Sequence, residues 1–145
     1  MEIIAYIAVS LGLLSLLWMG WIDLKLWILP NELVALLAVM APLFHYATGW
    51  AYGGWLFFMV GALVGGGSLW LIRAVANRIY GMDTLGFGDI KLMAAAGLWL
   101  GPEAVLMAMS VGAMCGVLHA FFIVMYQRFV AGIIIVLFWM YKDLL

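Results

Sequence analysis

Charge is scarce in this chain. Only 9% of its 145 residues are Asp, Glu, Lys or Arg, against roughly a quarter in an ordinary soluble domain. With 70% hydrophobic residues, there is not enough polar surface to keep a globule of any shape in water. The net charge of −1 argues against nucleic-acid binding and against a polybasic membrane-surface mode. A single cysteine, Cys115, excludes an internal disulfide and any CxxC metal site. No cluster of His, Cys and Glu has the spacing of metal ligands, so no metal site is expected. Long polar intervals are missing as well. The longest, Arg73–Gly88, is too short for a separate soluble domain, so residues 1–145 read as a single membrane-embedded domain.

What the chain does contain is apolar runs. A helix needs about 20 apolar residues to cross a ~30 Å hydrocarbon core. On that measure the fold class is an all-α integral membrane protein with about six transmembrane helices, at 3–22, 32–50, 54–72, 89–101, 103–126 and 129–143. The first has no basic segment before it and is of spanning length, so it reads as a permanent helix and not a cleaved signal. Pro102 is expected to separate the fourth and fifth spans, and Gln127-Arg128 the fifth and sixth. The interval Arg73–Gly88 is expected in part to extend the third helix into water. Orientation follows from Lys and Arg, which accumulate on the cytoplasmic side. Five of the six, Lys25, Arg73, Arg78, Lys91 and Arg128, fall on one face and only Lys142 on the other. The N-terminus is therefore expected outside, and the loops Asp23–Asn31 and Arg73–Gly88 in the cytoplasm.

Two acids stand at the cytoplasmic ends of spans. Asp23 closes the first, in GWIDLKLWILPNELV, and Asp89 opens the fourth, in GFGDIKL. An ionisable residue at a span is costly unless it faces protein or water, which makes each a functional candidate. Gly86 and Gly88 permit unusual backbone angles and a close approach by another chain. Asp89 begins a helix, whose N-terminal dipole favours its ionised form. Pro30 pushes Leu29 toward an extended shape, Asn31 is the expected N-cap of the second span, and Glu32 suits its first turn. Two facing carboxylates cannot easily both ionise, so they share a proton. One can then activate water while the other protonates or hydrogen-bonds a peptide carbonyl. That chemistry needs no metal or organic cofactor. On the acids alone, a peptidase and a proton or cation relay explain the pattern equally well.

The combination of residues narrows the choice. The spacing D-x6-P-N at Asp23, Pro30 and Asn31, followed by GFGDIKLMAAAGLWLG, resembles the prepilin peptidases of type IV pilus and type II secretion systems. The GxGD at Gly86–Asp89, the following Lys91-Leu92 and the Ala/Gly-rich helix ending in Trp99-Leu100-Gly101 all agree, and the likeness covers nearly the whole chain. It implies a multi-pass aspartic endopeptidase of the inner (cytoplasmic) membrane, with Asp23 and Asp89 as the catalytic pair. Its substrate would be a prepilin or pseudopilin held by its own membrane helix, cut in the leader at the cytoplasmic face. The bifunctional members carry an N-terminal segment, often with two CxxC pairs, associated with N-methylation. Nothing of that kind stands here, so methyltransferase activity is not expected. The compact form is most similar to the short peptidases of tight-adherence (Tad/Flp) pili, and less so to preflagellin peptidases.

The remaining candidates read more plainly. Asp83 is expected to be a solvated loop acid. Lys91 is either a dyad-tuning or substrate-binding group or a snorkelling interfacial lysine. His119 is expected to pack between helices through one hydrogen bond, and His45, far from the acids, is given no role. The pairs Gly61/Gly65 and Gly112/Gly116 have the GxxxG spacing of closely packed membrane helices. The eight tryptophans are expected to form interfacial belts.

Overall fold

The structure is a computed structural model that describes the backbone of residues 1–143 and the side-chain surroundings of residues 1–134. Among these residues every regular element is a helix: α1 (Glu2–Leu26), α2 (Asn31–Ala47), α3 (Trp55–Tyr80) and α4 (Phe87–Asp143). Three of them, α1, α3 and α4, are long and apolar enough to cross a membrane, and α2 is a shorter apolar helix of 17 residues. The all-α membrane class stands on these helices. The polar end of the third expected span does continue as helix, to Tyr80.

Each boundary has a local cause. α1 ends where Trp27 turns into the left-handed region (φ 55) and its N–H bonds the Asp23 carbonyl at 2.9 Å. Pro30, extended at ψ 128, then starts α2. Gly81 (φ 67) ends α3 with its N–H on the Asn77 carbonyl. Within α4, Gly101 breaks the helix at φ 77 and ψ 177, an angle pair open essentially to glycine alone, immediately before Pro102. The expected separation at Pro102 is therefore present.

The separation expected at Gln127-Arg128 is not. The helix continues through both residues, so 103–126 and 129–143 are not distinct elements. Gln and Arg are good helix formers, and neither a glycine nor a proline stands beside them to end the ladder. Polarity suggested a loop, but polarity alone does not terminate a helix.

The described chain forms two compact units, one spanning Met1–Met107 and one beginning at Ala108. The first holds the core. Met19, Val34, Leu37 and Ala95 are buried together, with Leu29, Leu92 and Trp99 packed against them. α3 and α4 meet through glycines. A methyl on Gly61 would lie 2.3 Å from the Gly97 carbonyl oxygen, and one on Gly65 2.4 Å from that of Met93, so this GxxxG is a packing surface. Gly112 and Gly116, in the second unit, have nothing within 4 Å of where a methyl would sit.

Candidate active site

Helical spacing aims both acids at one core. Met19 stands four residues before Asp23 on α1, and Leu92 three residues after Asp89 on α4. Residues so spaced share a helix face, and Met19 and Leu92 belong to the same cluster. Asp23 and Asp89 thus sit at the ends of two helices whose matching faces are packed on each other. Both are half-buried, and their carboxylates are near enough to interact electrostatically.

Asp89 occupies the third position of its helix, behind Gly86 at the N-cap. Its carboxylate curls back over Gly86, toward the position that a third-residue acid takes in a capping box. Its Oδ2 lies 3.2 Å from where a Gly86 methyl would be. Gly88 does different work. A methyl there would come within 2.9 Å of the Leu29 Cβ, so the missing side chain is what lets the α1–α2 connection lie against the start of α4. The two glycines of GxGD therefore serve the two acids separately. One leaves room for the Asp89 carboxylate, and the other for the segment leading from Asp23.

Pro30 and Asn31 fill the far end of that segment. Residues 28–30 are non-helical, as the proline requires. Asn31 is not the N-cap: Pro30 holds that position and no side chain caps α2. The Asn31 Oδ1 instead accepts a hydrogen bond from Lys91 Nζ at 2.9 Å, tying the start of α2 to the first turns of α4. Proline before Asn31 fixes an extended backbone that already begins the helix, which frees the amide for this contact. Lys91 is exposed and does not form an ion pair with either acid.

The 81–86 turn is held from α3 by residues that sequence reading passed over. Arg73 Nη2 pairs with Asp83 Oδ1 at 2.7 Å, and its other Nη bonds the Leu85 carbonyl. Its guanidinium lies 3.9 Å from the centre of the Phe87 ring. Asn77 donates to Asp83 Oδ1 at 2.9 Å and accepts from both the N–H and the hydroxyl of Thr84. Asp83 is exposed, as expected, but it is not a free loop acid. The signal available in the sequence was Arg73 and Asn77, two polar residues at i, i+4 on one side of a largely apolar helix.

Away from the acids, His45 has a structural role that its position did not suggest. It is 1% exposed, its Nε2 is 3.0 Å from the Leu98 carbonyl oxygen, and its ring stacks on Phe58. Trp99 departs from the interfacial belt. It packs against the Gly12 position and Phe44, and its indole N–H bonds the Leu37 carbonyl at 2.9 Å. His119 lies on an exposed stretch of α4. Among the described residues, no group of three or more His, Cys, Asp and Glu could hold a metal ion.

The sequence profile of the type IV leader peptidase family matches residues 10–140. Among characterised proteins, the chain is 38% identical over 95 residues to a prepilin leader peptidase/N-methyltransferase of Pectobacterium carotovorum subsp. carotovorum, a match covering 66% of this chain and 33% of that protein. It is 38% identical over 96 residues to the protein of that description from Klebsiella pneumoniae (66% and 41%). With that from Aeromonas hydrophila it shares 33% identity over 116 residues (74% and 39%). The matches thus span about a third to two fifths of these relatives' length. No solved structure matches the chain.

Proposed function

Since the chain belongs to the type IV leader peptidase family, we propose that it is a membrane aspartic endopeptidase that removes the leader of type IV prepilins, with Asp23 and Asp89 as the catalytic pair. The observation that carries this reading is the convergence of the two acids at the ends of α1 and α4, above a shared core. One carboxylate takes a proton from water, whose oxygen attacks the scissile carbonyl carbon. The other gives its proton to the carbonyl oxygen. When the tetrahedral intermediate collapses, the C–N bond breaks and the amine leaves with a proton returned by the acid pair. Gly86, Gly88, Pro30 and Asn31 support the pair, and Lys91 braces α4 against α2.

Within this class we assign Flp/Tad-type prepilins as substrate, from the likeness to the short peptidases of those pili. We assign peptidase activity alone to these residues, which include a single cysteine and no CxxC pair. The whole chain acts as one domain of the inner membrane, with the acids at the cytoplasmic face. A groove of about 390 Å³ runs between α2, α3 and α4, lined by Ala35, Ala38, Ala62 and Ala94, with Asn31 and Lys91 at its polar end. It gives the substrate's membrane helix a surface on which to lie while its leader reaches the acids. On this reading, detaching that helix from the leader sharply reduces cleavage; equal cutting of a free soluble leader would remove the helix from recognition.

The deciding experiment is prepilin processing in membranes by Asp23→Asn and Asp89→Asn. Asparagine keeps size and hydrogen bonding but neither holds nor yields the shared proton. Each variant should insert and fold but fail to cleave, and the double variant should match either single one. Robust cleavage by either would sink the pair. Chelators should leave the wild type active, and loss of cleavage in EDTA with recovery on adding zinc would contradict the mechanism.

A further inference from the structure

We propose that Arg73, Asn77 and Asp83 form a latch that positions the Asp89 carboxylate, making them positioning residues for cleavage. The proposal rests on the catalytic reading of Asp89 given above. The turn 81–86 is the only covalent lead-in to Asp89, and it has no regular structure of its own beyond the Gly81 cap. What holds it is a set of side chains from the last turns of α3. Arg73 and Asn77 stand one helical turn apart and converge on a single oxygen, Asp83 Oδ1, at 2.7 and 2.9 Å. Asn77 also accepts both polar hydrogens of Thr84. Arg73 then reaches past Asp83 to the Leu85 carbonyl and covers the Phe87 ring. Residues 83, 84, 85 and 87 are thereby all fixed to one helix, and the N-cap Gly86 lies between the last two.

The exposures show which partner is the anchor. The Arg73 side chain is 12% exposed and Asp83 79%. Arg73 is a half-buried fork projecting from a long helix, and the acid is brought to it. An isolated surface ion pair is worth little; here the planar guanidinium supplies a directed donor to a carboxylate and to a backbone carbonyl at once, which a lysine cannot reproduce. Two residues beyond Leu85, the helix begins, and the Asp89 carboxylate lies against Gly86, its Oδ2 3.2 Å from where a methyl there would sit. Releasing the latch would let Gly86 move, and the carboxylate packed over it would move with it.

The test uses the full chain in membrane vesicles and a prepilin that carries its membrane helix. In Asp83→Ala, kcat should fall on the order of 10- to 100-fold, the scale of a displacement near 1 Å, while KM changes little because the acid, not the groove, has moved. Hydrogen exchange at the Gly86 amide should accelerate, with exchange inside α1 unchanged. Arg73→Lys should be intermediate, and the paired exchange Arg73→Asp with Asp83→Arg should recover part of kcat over either change alone. Asp83→Asn, which retains the accepting oxygen, supplies a milder variant if the alanine form does not fold. An unchanged Gly86 exchange rate overturns the latch. Faster exchange with unchanged kcat overturns its positioning role, as does a loss confined to KM. A wild type that cleaves no prepilin overturns the peptidase reading instead, and the Gly86 exchange comparison still decides whether the latch holds the turn.

Discussion

Gly86 and Gly88 are separated by one residue, yet a methyl group at each would meet different obstacles, and the two substitutions should fail in different ways. At Gly88 the methyl would sit 2.9 Å from Leu29 Cβ and 3.1 Å from its Cδ1. The Cβ cannot swing away, so the α1–α2 connection must shift. Gly88→Ala should lose about 1–3 kcal/mol of stability, the usual range for overpacking, together with activity. At Gly86 the nearest atom is the Asp89 carboxylate itself, at 3.2 Å. That group can give by a few tenths of an ångström. Gly86→Ala should therefore cut cleavage roughly tenfold, short of the ~100-fold a full ångström can cost, with thermal unfolding almost unchanged. Paired measurement of cleavage rate and unfolding temperature checks both, and equal loss of stability in the two would contradict the division of labour. That Asp23 and Asp89 lie near each other, and that the two glycines admit close neighbours, were legible in the sequence because residue type and spacing carry the reason for each. The partners of Asp83 were not, since they depend on which way α3 turns its side chains. The true contact of Asn31 was hidden too, because its amide suits a cap and a cross-helix bond equally well.

Helices show the same limit in another form. Gly61/Gly65 and Gly112/Gly116 have identical spacing, and nothing in the chain distinguishes them. The difference lies in what faces them. Gly97 on α4 would carry its methyl 2.1 Å from the Gly61 carbonyl oxygen, backbone against backbone, with no flexible atom to yield. Gly97→Ala must therefore part α3 from α4, at a cost at or above the ~3 kcal/mol upper end of overpacking. Because α4 also carries Asp89, activity should fall with it. Gly112→Ala meets nothing within 4 Å and replaces a poor helix former with the best, a gain of up to about 1 kcal/mol. Unfolding of the two variants in the same detergent compares them directly, and equal destabilisation would show that the second pair is also a contact. Helix ends divide along similar lines. The break at Gly101-Pro102 was readable, because proline and a glycine-only angle are local causes. The continuation through Gln127-Arg128 was not, because two polar residues inside a long apolar helix look the same as two polar residues between helices.

For the whole molecule, orientation is the property that the helices alone leave open, and basic residues supply the argument for it. On six spans, five of the six Lys and Arg fall on the cytoplasmic side and Lys142 opposes them. Lys25, Arg73, Arg78 and Lys91 all stand at or near helix ends of the first compact unit, and they carry the bias. The positive-inside rule then leads to the expectation of an external N-terminus. The consequence is testable with cysteine labelling, after the exposed native Cys115 is replaced by alanine. A cysteine at Met82, in the exposed turn after α3, should react with a membrane-impermeant maleimide only when the cytoplasmic side is opened. One at Tyr52, in the connection between α2 and α3, should react in intact cells. A cysteine at Trp27, beside Asp23, should follow Met82, because a hydrolytic pair must share one face of the membrane. Labelling of Met82 and Trp27 from opposite sides would separate the two acids across the bilayer and end the case for a pair. Labelling of both from outside would keep the pair and reverse the molecule, moving cleavage to the other face.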